Sequence, residues 1–150
     1  MSDTFDITDR SGLELMQAVL NGDIPGAPMA RTLGFAPYSV DEGKVIFRGI
    51  PNEGSTNPHG VVHGGWYGTL LDSCMACAVW TKVPTGSTYT TLEYKVNIIR
   101  PIKLGTQIEA IGITNHAGRS TGIAHGEIRG VKDDRLYATG STTCIIMKMQ

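Results

Sequence analysis

The sequence predicts an α+β fold in which an antiparallel sheet carries one long helix on a face. Three features predict it. A loop rich in Gly, Asn, Pro and Ser at 52–62 opens into a single apolar helical run from about His63 to Lys82. Leu92, Tyr94, Val96 and Ile98 then alternate with Thr91, Glu93, Lys95 and Asn97, the period of two expected of a strand. Beyond them, turn signals divide the rest of the chain into strand-length pieces.

The elements follow in order. Ser11-Gly12-Leu13-Glu14 fits a capping box, with Ser capping a backbone N–H and Glu reaching back. Leu13, Met16, Val19 and Leu20 continue it as an amphipathic stripe, and Asn21-Gly22 stops it. Pro28 suits the first turn of a second short helix closed by Gly34. Two strands occupy 35–51 around a turn at Asp41-Glu42-Gly43. The long helix ends at Pro84 and Gly86. Further strands are expected at 106–115, 120–131 and 135–148, with turns near Pro101–Gly105, Ala117-Gly118-Arg119 and Lys132-Asp133-Asp134.

The chain has 150 residues, 41% hydrophobic and 18% charged, which suffices for one domain with a real core. No linker, repeat or low-complexity segment divides it. The expectation is one domain over 1–150, with a helical N-terminal extension (1–34) and a core (35–150). A net charge of -1 offers no broad cationic surface to nucleic acid or anionic lipid, although a few local cations suffice for a phosphorylated small ligand. The first twenty residues lack a basic, then apolar, secretory pattern, and no apolar run approaches the roughly 20 residues of a membrane span. A soluble, cytoplasmic protein is expected. Three cysteines cannot all pair, and Cys74 and Cys77 lie inside the apolar helix, so buried thiols are expected in place of a redox pair. His59 and His63 are four apart, but Pro58 and Gly60 oppose a helix there. No metal and no cofactor are expected.

The chemistry concentrates in Asn57-Pro58-His59-Gly60-Val61-Val62-His63-Gly64-Gly65 and the helix behind it. Between Glu53 and Lys82 the only formal charge is Asp72, among Leu70, Leu71, Cys74, Met75 and Val79. Such an acid must be paired, protonated or turned to a polar cavity, because burying it bare is costly. An acid at a helix edge touching water or an Arg is the ordinary alternative. At about 100° per residue, Asp72 lies within roughly 20° of Gly65 and 40° of Gly68. These glycines leave one helix face bare, for a close backbone neighbour or for a ligand. Free N–H groups at Gly64 and Gly65 would receive an anion or a developing oxyanion. Asn57, held extended by Pro58, would add a side-chain N–H. Carbonyl-polarising donors with a carboxylate are the equipment of acyl transfer.

Gly64 and Asp72 are eight residues apart, about 12 Å along a helix axis, too far to act on one carbonyl. Two antiparallel helices across a twofold axis remove the conflict. Each acid then faces the partner's helix start, in an isologous homodimer with two shared sites.

The segment Asn57…His63-Gly64-Gly65…Asp72, with Thr91 in the next strand and Arg100-Pro101-Ile102-Lys103 closing it, resembles the hotdog-fold acyl-CoA thioesterases. It is most similar to the branch of the phenylacetate-pathway and 4-hydroxybenzoyl-CoA thioesterases. The resemblance covers roughly residues 28–148. It implies a hotdog fold, an antiparallel sheet wrapped around a central helix, and an acyl-CoA substrate. By position, Gly64 resembles the oxyanion donor, Asn57 the second carbonyl-side group and His63 the residue bracing it. Asp72 resembles the acid that attacks or activates water, and Thr91 the hydroxyl that holds the water. Gly65, Arg100, Arg119 and Ser120 fall at positions for substrate and CoA contacts, the last three being equally compatible with solvated strand ends. Some relatives carry Glu where this chain has Asp72, which leaves attack through water and covalent attack both open.

The expected protein is a homodimer, paired again into a homotetramer, that hydrolyses a small aryl or short- to medium-chain acyl-CoA. Trp66, Tyr67, Met75 and Trp80 are candidates to line the acyl pocket, or else plain core. Two rivals are a hotdog hydratase or dehydratase, which needs a His and an acid about the Cα–Cβ bond, and a non-catalytic acyl-CoA binder.

Overall fold

A computed structural model describes residues 7–150. Helix α1 (Gly12–Asn21) opens with the expected capping box: Glu14 N–H donates to Ser11 Oγ at 3.3 Å and Ser11 N–H to the Glu14 carboxylate at 2.7 Å. Its buried side is Leu15, Met16 and Ala18, whereas Leu20 turns outward. Gly22 ends it at φ 81°, a conformation that suits glycine. Helix α2 (Pro28–Leu33) starts at Pro28 and stops at Gly34.

Strands β1 (Phe35–Asp41) and β2 (Lys44–Gly49) form a hairpin. A short 3-10 turn at Glu53–Ser55 and a bridge between Thr56 and Val62 organise the following loop. Helix α3 (Gly64–Trp80) follows, and then β3 (Ser87–Ile98), β4 (Ile108–Ala117), β5 (Thr121–Gly130) and β6 (Leu136–Lys148). The sheet order is β1-β2-β4-β5-β6-β3 and every pairing is antiparallel. The α+β expectation holds.

Helix α3 lies across the sheet with Leu70, Leu71, Met75 and Val79 fully buried against Val45, Ile108, Ile128 and Ala138. Full burial of each large side chain stabilises the fold by about 1.5–3 kcal/mol. The helix seats deeply because the strands beneath it carry glycines. A Cβ at Gly112 would run into the carbonyl oxygen of Cys74, and one at Gly126 would lie 2.8 Å from Met75 Cγ.

Strand β3 differs from its sequence reading. It starts at Ser87, breaks register between Thr91 and Glu93, and runs along the sheet edge beside β6. Leu92, Tyr94 and Ile98 are 62%, 47% and 51% exposed, so the apolar alternation marks a strand whose apolar residues are left largely open in the single chain.

Candidate active site

The loop before α3 is held by its own side chains. Asn57 Oδ1 accepts from the N–H groups of His59 (2.9 Å) and Val61 (3.4 Å), and Asn57 N–H donates to Val61 O at 2.9 Å. The amide oxygen is thus spent on the turn. The Asn57 NH2 group has no partner among the described residues and is half-exposed.

His63 N–H donates to Ser55 O at 2.7 Å, and its Nδ1 accepts from Gly65 N–H at 2.8 Å. Two expectations change here. His63 caps the helix and makes no bond to Asn57, and Gly65 N–H is already taken. The imidazole reaches back to the second amide of the helix because His63 itself holds the N-cap position. Gly64 N–H is left without a partner among the described residues, exposed at the positive end of a helix of 17 residues.

The bare glycine face of α3 is buried at Gly68 by β3 of the same chain, which also touches the exposed Gly64 at its edge, while Gly65 stays exposed. A Cβ at Gly64 would lie 3.4 Å from Ile98 Cδ1, and one at Gly68 would lie 3.3 Å from the Tyr94 ring. One turn further, Thr91 Oγ1 donates to Asp72 Oδ1 at 2.9 Å. Gly64, Gly68 and Asp72 therefore meet Ile98, Tyr94 and Thr91 in turn, as β3 runs back along the helix. Close packing accounts for Gly68, and the acid ends the same row.

Asp72 is half-buried, and burial raises its carboxyl pKa above the ordinary 3.8, with the Thr91 hydroxyl pulling in the opposite direction. Its neighbours are protonated groups. Burial pushes the Cys77 thiol up to about 12 and holds Tyr89 well above its ordinary value. All three cysteines are free.

Asp72 and Thr91 border a cavity of about 690 Å³ between α3, β3, the β1–β2 hairpin and the N-terminal helices. Its walls include Met16, Phe35, Phe47, Ala76 and Trp80. Of the four aromatic and Met candidates on α3, only Trp80 reaches it. Trp66, Tyr67 and Met75 are core, with Trp66 Nε1–H bonded to Leu33 O at 3.0 Å and Tyr67 OH to Arg100 O at 3.1 Å. Volume and lining suit a small apolar ligand.

Residues 59–137 match the family described as the Thioesterase superfamily. This chain belongs to that superfamily. It is a thioester hydrolase with the hotdog fold. A thioesterase family protein from Silicibacter pomeroyi superimposes with a TM-score of 0.80 at 22% identity, covering 89% of this chain and 99% of that one. The PaaI protein of the E. coli phenylacetic acid degradation operon gives 0.78 at 21%, covering 93% and 97%. Both show the fold. A phenylacetic acid degradation-related protein from Ralstonia eutropha is 28% identical, with a TM-score of 0.78 over 87% of this chain and 98% of that one. A Caenorhabditis elegans protein named as a candidate esterase, F42H10.6, is 26% identical over 114 residues, 76% of this chain and 67% of the relative.

The remaining candidates of the thioesterase fall at two ends. Arg119 and Ser120 lie in the β4–β5 turn, where Ile146 N–H donates to Ser120 O at 3.0 Å, close to the row Thr91–Cys144–Gly122 that carries Asp72's partner. Arg100 follows β3 at the Gly64 end, with its carbonyl on Tyr67. All three are exposed. The sequence reading missed the N-terminal wall of the cavity: Met16, Val19 and Ala30. The amphipathic stripe signalled burial there but not what lay beneath it. Among the described residues, no helix is long and apolar enough to cross a membrane, and no group of three His, Cys, Asp or Glu side chains is placed to hold a metal.

Proposed function

We propose that this thioesterase hydrolyses the thioester of an apolar acyl-CoA, a small aryl or short- to medium-chain acyl group, with Asp72 as its acid. The observation that carries this reading is the position of Asp72. It is half-buried, fastened to Thr91 and set at the edge of an apolar cavity. The name of the Ralstonia relative, which refers to phenylacetic acid degradation, supports an aryl acyl group.

In the proposed site the carbonyl oxygen accepts from Gly64 N–H and the Asn57 amide of one chain. Asp72 and Thr91 come from the other. Asp72 takes a proton from water held by Thr91 while the water oxygen bonds to the carbonyl carbon. The tetrahedral intermediate then collapses, the C–S bond breaks, and the proton leaves with the CoA thiolate. Direct attack by Asp72, giving a mixed anhydride that water cleaves, uses the same groups. Arg100, Arg119 and Ser120 hold the CoA phosphates and pantetheine in this arrangement, and Gly65 shapes the helix start.

The homodimer follows from the roughly 12 Å that eight helical residues put between Gly64 and Asp72. The exposed Leu92, Tyr94 and Ile98 on the edge strand, with Ile99 just beyond it, support it, as an apolar open edge calls for a partner. Pairing of dimers into a tetramer is part of the same proposal. A reducing cytoplasm fits the three unpaired cysteines.

Among the described residues of the single chain, the cavity beside Asp72 is lined mainly by apolar side chains and holds no histidine of that chain. Thiol release from aryl-, short- and long-chain acyl-CoAs tests the reading. Release of CoA thiol with at least one apolar acyl group is expected. Binding without release would leave a non-catalytic binder instead.

A further inference from the structure

The chemistry above leaves the N-terminal helices without a part, yet they are fixed across the cavity at both ends. At one end Gly12 N–H donates to Val83 O at 3.0 Å, and a Cβ at Gly12 would overlap the Trp80 carbonyl oxygen. At the other, Leu33 O accepts the Trp66 indole N–H at 3.0 Å. Both anchors lie on α3 or just beyond its end. Between them, Met16, Val19, Ile24 and Ala30 line the same cavity as Asp72 and Trp80.

The cavity's polarity is one-sided. Among the described residues, its only formally charged lining groups are Asp72 and the exposed Arg31 of α2. An elongated apolar group entering beside Asp72 therefore meets hydrocarbon until it reaches the N-terminal strap. Tyr89 and Trp80, with ring centroids 5.6 Å apart and planes tilted by 35°, form an aromatic corner on the α3–β3 side.

We propose that this strap, residues 12–33, is the far wall of the acyl subsite, and that Val19 and Ile24 set the size of the acyl group accepted. The inference rests on the acyl-CoA reading with Asp72 at the reacting carbon. Val19 and Ile24 are partly exposed on the cavity side, so their size changes the void with little effect on core packing. A larger side chain at Val19 should shorten the accepted chain, and a smaller one at Ile24 should lengthen it. A misfit of a methylene or more in an apolar pocket costs on the order of tenfold in discrimination.

The test uses the full chain with acetyl-, hexanoyl-, decanoyl- and phenylacetyl-CoA. Val19→Phe is expected to lower kcat/KM for the longest substrate that the parent accepts by roughly tenfold or more, leaving acetyl-CoA within about twofold. Ile24→Ala is expected to move the preference toward longer chains. The phenylacetyl arm separates a ring-shaped from a chain-shaped subsite. The same pair in an Asp72→Asn background, read by equilibrium binding, reports the wall without turnover. Length-dependent binding with no thiol release from the parent enzyme would retain the wall and remove the hydrolytic reading. An active parent whose chain-length profile is unchanged in both variants, or falls equally for every substrate, would overturn the wall alone.

Discussion

The Thr91 hydroxyl donates to Asp72 Oδ1 at 2.9 Å, tying the lone acid of α3 to β3 of its own chain. Two consequences follow. The bond orients the carboxylate toward the cavity and favours its charged form, against the burial that raises its pKa. Thr91→Val should therefore raise the pKa further. An acid acting as base or nucleophile must be ionised, so kcat/KM rises as pH climbs through that pKa. The acidic limb should move to higher pH in Thr91→Val and stay in place in Thr91→Ser. A pH–rate profile checks both, and an unmoved limb in the Val variant would remove Thr91 from this role.

Asp72→Asn keeps the volume and removes the charge. Thiol release should fall by roughly a hundredfold to ten-thousandfold. Stability should move the other way. The folded pKa is raised, so the stability that the protonated acid contributes is complete below the unfolded pKa and lost as pH rises through the folded one. The Asn variant mimics the protonated form. Its melting temperature should exceed the parent's at neutral pH, and the gap should close under acid conditions. A gap of the opposite sign at neutral pH would contradict the burial argument.

His63 supplies the helix cap through Nδ1. His63→Ala should cost about 1 kcal/mol of stability and lower kcat, since the amides at the helix start lose their anchor. His63→Asn can cap from the same position and should recover most of the stability. Denaturant unfolding of the three proteins decides this. Equal stability of parent and Ala variant would show that the cap is idle.

Gly112 lies directly under the backbone of α3 at Cys74. Gly112→Ala should destabilise the fold by roughly 1–3 kcal/mol or more, because helix and strand must separate to admit the methyl. A melting temperature equal to the parent's would contradict the tight seating of the helix.

The legible parts of this chain are those whose signals are local. The Ser11–Glu14 box, the Pro28 and Gly34 limits and the turn at Glu42-Gly43 are set by neighbours in sequence. Asp72 was legible because nothing else between Glu53 and Lys82 is charged. What depended on distant partners was not. Leu92, Tyr94 and Ile98 have the alternation of a half-buried strand, but the single chain leaves them open at the sheet edge. The contacts at Gly64 and Gly68 come from residues about thirty positions downstream. The capture of Gly65 N–H by His63 turns on one rotamer, which a spacing argument does not reach. The cavity wall required α1 and α2 to fold back over α3, a placement set by Gly12–Val83 and Trp66–Leu33 contacts far apart in sequence.

In the proposed site the acid comes from one chain and the helix start from the other, and subunit mixing tests this most directly. Asp72→Asn and Asn57→Ala chains, each inactive alone, are exchanged in equal amounts and assayed for thiol release. Random pairing gives half mixed dimers, each with one complete site of two, so about a quarter of the parent activity should return. Mixtures that exchange subunits, verified by differently tagged chains, and yet remain inactive would contradict the shared site.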